Sequence, residues 1–412
     1  MRSDVFQLAL HIDSPWYVKD VQFNEGEKRL DVHVDFKKGS CFEYTYKGEV
    51  GKYKAYDTVE KTWRHLNFFE HETYIHARVP RIQTKDQKVR LIKAPWEGVC
   101  PGFTLMFESL LLQLCTCMTV QKVSKITHIS DDKLWRMLIL YVKDAVRAMD
   151  LSGLEKVGMD ETNRKKGHNY LTLFVDMEKR RTVFVTEGKK HKTVKTFARD
   201  IQGRKGSPKK IRQVCCDMSP AFIKGIGEYL PNAEITFDKF HLVINVNKAV
   251  DAVRKQEARE TTILKGTKYI FLKNRANLTE IEQKKLSEIT MSKVAVKTMR
   301  AYQIRETFQE IYKADSLNEF KVLIRKWYWR ATHSRLRPII KVAHMIKKHW
   351  NGIIQWRESL LSNGILEGFN SLIQAAKSKA RGFRSLNYFK TIIYLLTGKL
   401  DLTSNNKHYL PI

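Results

Sequence analysis

The chain has 412 residues, a length that suits two or three domains. Lys and Arg total 74 against 44 Asp and Glu, a formal charge of +30, and 43% of the residues are hydrophobic. A core can therefore be built, which excludes a disordered basic tail; the charge points to a polyanionic partner, or else to a ribosome-like or merely basic protein.

Residues 1–100 read as β-rich. Leu30–Phe36 alternates apolar and polar residues, the pattern of a half-buried strand. Val18–Phe23, Phe42–Tyr46 and Tyr74–Val79 are weaker strands, and Asn24-Glu-Gly26 suits a hairpin turn. Val32, Val34, Phe36 and Phe42 are candidates for the core. From residue 103 the pattern becomes helical. Phe103–Val120 is apolar but broken by Glu108 and Gln113, which indicates a buried helix and not a membrane span. Thr119 can cap a short helix through Lys125, a turn follows at Thr127–Ser130, and Ser130, Asp131 and Asp132 open another helix. This pair is a helix-turn-helix candidate, with Lys133, Trp135 and Arg136 as its DNA-contacting residues; a plain helical hairpin is the alternative.

Lys156–Asp160 reads as a short apolar strand ending in an acid. Tyr170–Val175 and Thr182–Thr186 are two more strands, joined by a polar turn in which Asp176 is expected to be solvated. A basic helix covers Thr193–Ile201 and a loop covers Gln202–Pro208. Ile211–Cys216 is a buried strand that again ends in an acid, Asp217. Ser219 and Pro220 open a helix, Glu234–Phe237 is a last strand, and an apolar run begins at His241. This order predicts an α/β domain with a mixed sheet.

Residues 250–355 show almost no strand signals and read as a helical insertion. Trp327, Trp329 and Trp350 lie there among Arg325, Lys326 and Arg330, either to follow a nucleic-acid backbone or to form core. Asn363–Lys379 is a helix whose Leu366, Phe369, Leu372, Ile373 and Ala376 share one stripe. The expected divisions are therefore 1–100, 101–150, 151–249, 250–355 and 356–412. The cysteines (Cys41, Cys100, Cys115, Cys117, Cys215 and Cys216) form no CxxC pair and suggest no disulfide framework, which fits a reducing cytosol. Asp4 interrupts any signal-peptide pattern at the N-terminus, so a cytoplasmic protein without membrane contact is expected.

Asp160 and Asp217 end strands of one α/β domain, and Glu367 lies on a later helix with Asn370 one turn along. Three carboxylates converging at a sheet edge repel one another unless cations lie between them. Hard oxygen donors with room for water and phosphate suit magnesium, and two such ions serve phosphodiester displacement. Glu161 follows Asp160 directly and should point to the other face. Asp238 and His241 lie at the end of a strand and suit support of a metal site, although a core histidine is the alternative for His241.

These residues fall in stretches that resemble the ISL-three family of bacterial insertion-sequence transposases. The resemblance rests on Val157-Gly-Met-Asp-Glu161, Val214-Cys-Cys-Asp-Met-Ser-Pro220, Phe237-Asp-Lys-Phe-His-Leu-Val243, the stretch from Trp327 through Ala331-Thr-His-Ser334 to Pro338, Ser362-Asn-Gly-Ile-Leu-Glu-Gly-Phe-Asn370 and Lys379-Ala-Arg-Gly-Phe383. It covers nearly the whole chain. It implies a ribonuclease-H-like catalytic core, a mixed sheet flanked by helices, interrupted by a helical insertion and preceded by a β-rich domain and a helix-turn-helix. It implies a DDE transposase with Asp160, Asp217 and Glu367 as catalytic acids holding two magnesium (or manganese) ions. Asp238, His241 and Asn370 would support them, and Lys133, Trp135, Arg136, Arg330 and Arg381 would contact DNA. The implied partners are double-stranded DNA, both transposon ends and target, and a second copy of the chain in a dimer or higher synaptic assembly. The implied location is the bacterial cytoplasm, associated with the nucleoid.

The sequence departs from the family at one feature. Family members commonly carry two CxxC pairs that bind zinc; the matching stretches here are Tyr44-Thr-Tyr-Lys47 and Thr84-Lys-Asp-Gln87. These side chains cannot make a tetrahedral thiolate site, so no zinc is expected. The readings that compete are an active transposase and a catalytically inactive or repurposed DNA-binding relative. A generic nuclease of the same fold is a third.

Overall fold

The computed structural model describes residues 3–165, 169–292, 294–359, 361 and 364–403. They divide into two units, Met1–Met149 with Ala376–Ile412, and Asp150–Ala375.

The first unit begins with α1 (Ser3–Ala9), followed by β1 (Trp16–Asn24), β2 (Arg29–Phe36), β3 (Cys41–Tyr46), β4 (Glu49–Arg64), β5 (Glu72–Gln83) and β6 (Val89–Leu91). The sheet order is β1-β2-β5-β4-β3, with β6 on β5; β2 and β5 are parallel and the other pairs antiparallel. Leu30, Val32 and Val34 face inward along β2, as the alternation predicts, and meet Trp16, Trp63, Ile75 and Phe42. Each such side chain contributes roughly 1.5–3 kcal/mol by leaving water. Phe36 is only partly buried, edge-on to Trp16 and Phe42.

The turn after Asn24 is set by its Oδ1, which accepts from the Glu27 N–H at 3.1 Å. Lys47 and Gly48 link β3 and β4 in a two-residue turn, both at positive φ (50° and 88°), the geometry that matches strand twist. Beyond β5, Thr84 Oγ1 accepts from Arg90 Nε at 3.1 Å, and Arg90 reaches both Asp86 (2.7 Å) and the Tyr46 ring (5.0 Å to its centroid). The stretches that would carry metal-binding cysteines are thus linked by side chains around Tyr46, Asp86 and Arg90.

Three helices follow: α2 (Leu105–Cys117), α3 (Val120–Thr127) and α4 (Asp131–Ala148). The apolar run from Phe103 is not one helix to Val120, because the chain turns extended at Met118 and Thr119. Thr119 caps α3 through the Lys122 N–H (3.3 Å), His128 ends it in the left-handed region, and Ser130 precedes α4. Glu108, a polar interruption in the sequence, is fully buried in α2. It accepts from the N–H groups of Val99 (2.9 Å) and Cys100 (2.6 Å) and from the Tyr141 hydroxyl (2.5 Å).

The second unit contains β7 (Lys156–Lys165), β8 (Asn169–Asp176), β9 (Arg181–Glu187), α5 (Lys192–Gln202), β10 (Gln213–Cys216), α6 (Pro220–Tyr229), β11 (Glu234–Phe237) and α7 (Lys239–Glu257). The sheet order is β11-β10-β7-β8-β9. β10 is parallel to both neighbours, while β7, β8 and β9 form an antiparallel meander, so the sheet is mixed as expected. Asp176 corrects one expectation: it is buried, and its Oδ1 accepts from the N–H groups of Glu178 and Lys179 while Arg181 approaches Oδ2. It is a turn acid, but not a solvated one.

Between Ala258 and Ser359 the described residues form helices, turns and loops but no strand: α8 (Lys268–Leu272), α9 (Glu280–Met291), α10 (Val296–Ile311), α11 (Leu317–Thr332), α12 (Arg337–Lys348) and α13 (Trp350–Ser359). Because α7 runs through residue 250 and α13 through 355, neither expected boundary falls at an element end. Trp327 is core, its indole N–H donating to the Ile304 carbonyl at 2.8 Å, whereas Trp329 is exposed. Gly352 lets α13 approach β11: a Cβ there would meet the Phe237 ring at 2.5 Å.

α14 (Gly364–Lys379) begins in the second unit; Asn363, the expected start of this helix, lies outside the described residues. Its stripe is narrower than expected, with Leu366 and Ile373 buried but Leu372 exposed. The chain rejoins the first unit at Ala376, and α15 (Leu386–Thr397) packs in the core of α2, α3 and α4.

Candidate active site and nucleic-acid interface

The second sheet and α14 carry the acids. Asp160 is not at a strand end. It sits in the middle of β7, which continues to Lys165 because pairing with β8 outlasts the apolar run. It does follow the last residues shared with β10, where Val157 and Gly158 face Val214 and Cys215. Asp217 comes directly after β10, and Asp238 directly after β11 as the residue before α7. Three adjacent parallel strands thus bring one acid each to the same edge.

Gly158 explains why α14 comes so close. A Cβ there would meet Met177 Sδ at 2.5 Å and Leu366 Cδ1 at 2.8 Å, so only glycine lets Leu366 settle on the sheet with Val175 and Met177. Two side chains then tie α14 to β7. Asn370 Nδ2 donates to Asp160 Oδ2 at 2.6 Å, and Gln374 Nε2 donates to Thr162 Oγ1 at 2.8 Å and the Asn163 carbonyl at 3.1 Å. Glu367 is one turn from Asn370 and exposed. Gln374 is a positioning residue the sequence reading missed, although its spacing from Glu367 and Asn370 puts all three on one helix face.

Electrostatics links the acids. Burial pushes the Asp160 carboxyl up to about 6, and Asp217 and Asp238 add to the effect, while the Glu161 N–H and His241 oppose it. Burial also raises Glu367, with Asp238 the next cause, and it raises Glu161, where Lys189 opposes and Asp217 and Asp160 reinforce. Adjacent positions do diverge as a strand requires: Asp160 meets α14, and Glu161 meets Lys189 at 3.9 Å. Glu161 nonetheless lines one recess with Asp217 and His241, and a larger cleft is lined by Asp238 and Glu367.

Two buried acceptors here have no hydrogen bond, Asp238 Oδ2 and Asn370 Oδ1; His241 Nε2 approaches Asp238 Oδ2 only to 4.0 Å. A carboxylate oxygen buried without a donor suits a cation, and the donor set is the hard oxygen type that magnesium prefers. Among the described residues no three His, Cys, Asp or Glu side chains are near enough to hold an ion as they stand, so closing around one requires them to move inward.

The expected DNA contacts divide. Lys133 and Arg136 are exposed on α4, with Arg136 Nε bonded to the Asp132 carbonyl. Trp135 is not a DNA-facing residue: it is 9% exposed and stacked on Tyr388, with centroids 4.0 Å apart and planes within 2°. Arg330 is exposed, donates to Gln303 Oε1 at 3.3 Å, and lines the cleft with Asp238 and Glu367. Arg381 is exposed just past α14, in the left-handed region. No described helix is long and apolar enough to cross a membrane.

Residues 157–393, more than half of the chain, match a DDE transposase family of the ISL3 group, described as a transposase. Residues 102–142, spanning α2, α3 and part of α4, match the helix-turn-helix domain of transposase family ISL3. The transposase for insertion sequence element IS1001 of Bordetella parapertussis is 26% identical over 347 residues, 82% of this chain and 84% of the relative. The transposase for insertion sequence element IS1557 of Mycobacterium tuberculosis is 22% identical over 414 aligned residues, 92% of each.

Proposed function

Because this chain belongs to transposase family ISL3, we propose that it binds the terminal inverted repeats of a mobile element, cuts at their 3′ ends and joins the freed ends to target DNA. The reading takes the second unit as a ribonuclease-H-like core with Asp160, Asp217 and Glu367 as its acids. The observation that carries it is the hydrogen bond from Asn370 to Asp160, which fastens the helix of Glu367 to the strand of Asp160 beside Asp217. Asn370 and Gln374 hold that helix in register on β7. His241 faces Asp238 and offsets part of the negative charge when protonated. Asp160, Asp217 and Glu367, with Asp238 at hand, would hold divalent magnesium, which supplies Lewis-acid stabilisation of charge on the phosphate and activation of the attacking oxygen.

End recognition is assigned to α3 and α4, with Lys133 and Arg136 directed at DNA and α2 supporting them from the core. Arg330 and Arg381 would bind phosphate. Bringing two ends together calls for at least two copies of the chain.

The test is to measure end binding and magnesium-dependent nicking separately, on a duplex carrying the terminal repeat that flanks the reading frame. Asp217→Ala should abolish nicking and leave binding within about threefold. Normal nicking by this variant removes Asp217 from the site. Tight binding by the wild-type protein without nicking, under any divalent ion, favours the repurposed DNA-binding relative instead.

A further inference from the structure

The cleft that contains Asp238 and Glu367 has a volume of about 1870 Å³ and extends between α7, α9 and α10. Phe240 stands beside its acids. It lies in the first turn of α7, two residues after Asp238, and its side chain is 53% exposed. Exposure here is not looseness. The preceding residue, Lys239, which lines the same cleft, rests its ammonium over the rings of Tyr312 (4.6 Å to the centroid) and Trp356 (5.8 Å). Tyr312 and Trp356 are themselves in edge contact at 4.9 Å, and Tyr312 is buried. The first turn of α7 is therefore anchored through Lys239, while among the described aromatic rings Phe240 has one neighbour, His241, edge-on at 6.1 Å.

An aromatic face held open beside a carboxylate cluster suits a flat, π-rich ligand. In a duplex the base faces are covered by their neighbours, so only a base that has left the stack offers a free face. Two exposed arginines, Arg275 and Arg330, line the same cleft and suit the phosphates of such a strand. We propose that Phe240 is a stacking platform for an unpaired nucleobase, and that the cleft takes a DNA strand that has parted from its complement next to the acids. This rests on the transposase reading and adds to it the form of DNA that the site accepts.

The experiment compares two probes, a blunt duplex of about 20 base pairs and the same duplex with a single-stranded tail of about five nucleotides, carrying 2-aminopurine at the first unpaired position. Wild-type protein in calcium should bind the tailed probe about tenfold more tightly than the blunt one and change the 2-aminopurine emission. Phe240→Ala should reduce that preference to less than about twofold and remove the emission change, and Phe240→Trp should restore both. Ile281→Ala, exposed on α9 and absent from the cleft wall, serves as the unaffected control. Equal affinity for both probes in the wild-type protein, or undiminished preference in a folded Phe240→Ala, overturns the proposal while leaving the transposase reading intact. Failure of the wild-type protein to bind either probe or to nick end-containing DNA sinks both.

Discussion

The two sheets treat their carboxylates in opposite ways. In the N-terminal sheet each of three is matched to a cation: Asp31 to Arg29 (2.8 Å), with a further bond to His76 (2.6 Å), Asp35 to Arg78 by bonds of 2.9 and 2.7 Å, and Asp57 to Arg81. At the edge of the second sheet Asp160, Asp217 and Asp238 gather with His241, and Asp238 keeps a buried oxygen without a donor. A matched carboxylate stabilises the fold, because its charge is already satisfied. An unmatched cluster costs stability until a cation arrives, which is the arrangement a metal-dependent site needs.

The largest expected effect separates the two regions by activity. Asp160→Asn should lower metal-dependent cleavage by about a thousandfold or more and still melt no lower than wild type without metal. Its oxygen can accept from the Glu161 N–H, and its amide can donate to Asn370 Oδ1, which now has no donor, once the Asn370 amide turns over. Glu108→Ala should destabilise by about 3 kcal/mol in a denaturant titration, because it strands two backbone N–H groups and the Tyr141 hydroxyl in the core. Asp35→Ala should cost about 1.5 kcal/mol, the loss of a buried carboxylate bonded to Arg78 and the Phe36 N–H, moderated because the half-exposed Arg78 regains water. If Asp160→Asn destabilised the metal-free protein more than Asp35→Ala does, the contrast between the sheets would fail.

The smallest effect is in pH. Burial works against the charge of Asp31, but bonds from Arg29 and His76 hold its carboxyl below the usual value. A lowered carboxylate contributes stability above its unfolded-state value, and loses it as pH falls through the depressed value. A loss of about 1 kcal/mol below about pH 4 should therefore be present in wild type and absent in Asp31→Asn, measured by chemical denaturation across that range.

What the sequence reveals follows burial. β2 and β11 are legible because alternation or a short apolar run reports a buried face, and the caps at Thr119 and Ser130 mark helix starts. β4, the longest strand, was missed: over Glu49–Glu60 it is exposed or half-exposed on both faces, so nothing in the side chains reports its pairing with β3 and β5. The extension of β7 past Asp160 is invisible for a different reason: its buried position, Thr162, is polar, and its neighbours are charged or amide side chains. Trp135 reads as basic-face from its neighbours, yet its ring is claimed by Tyr388 of α15, a partner far along the chain that no local pattern shows. Asp217, Asp238 and Glu367 are legible as acids after a strand or on a helix, and Asp160 as the acid that follows an apolar run, although β7 continues past it. Their mutual coupling and the bond to Asn370 come only from the fold.

The most direct test of the unmatched cluster needs no DNA. Thermal unfolding of the wild-type protein should be followed with and without about 10 mM magnesium, at constant ionic strength. The account predicts that magnesium raises the melting temperature by about 3 °C, and that Asp160→Asn combined with Asp217→Asn abolishes the gain. An equal gain in that double variant, or none in the wild-type protein, would contradict it.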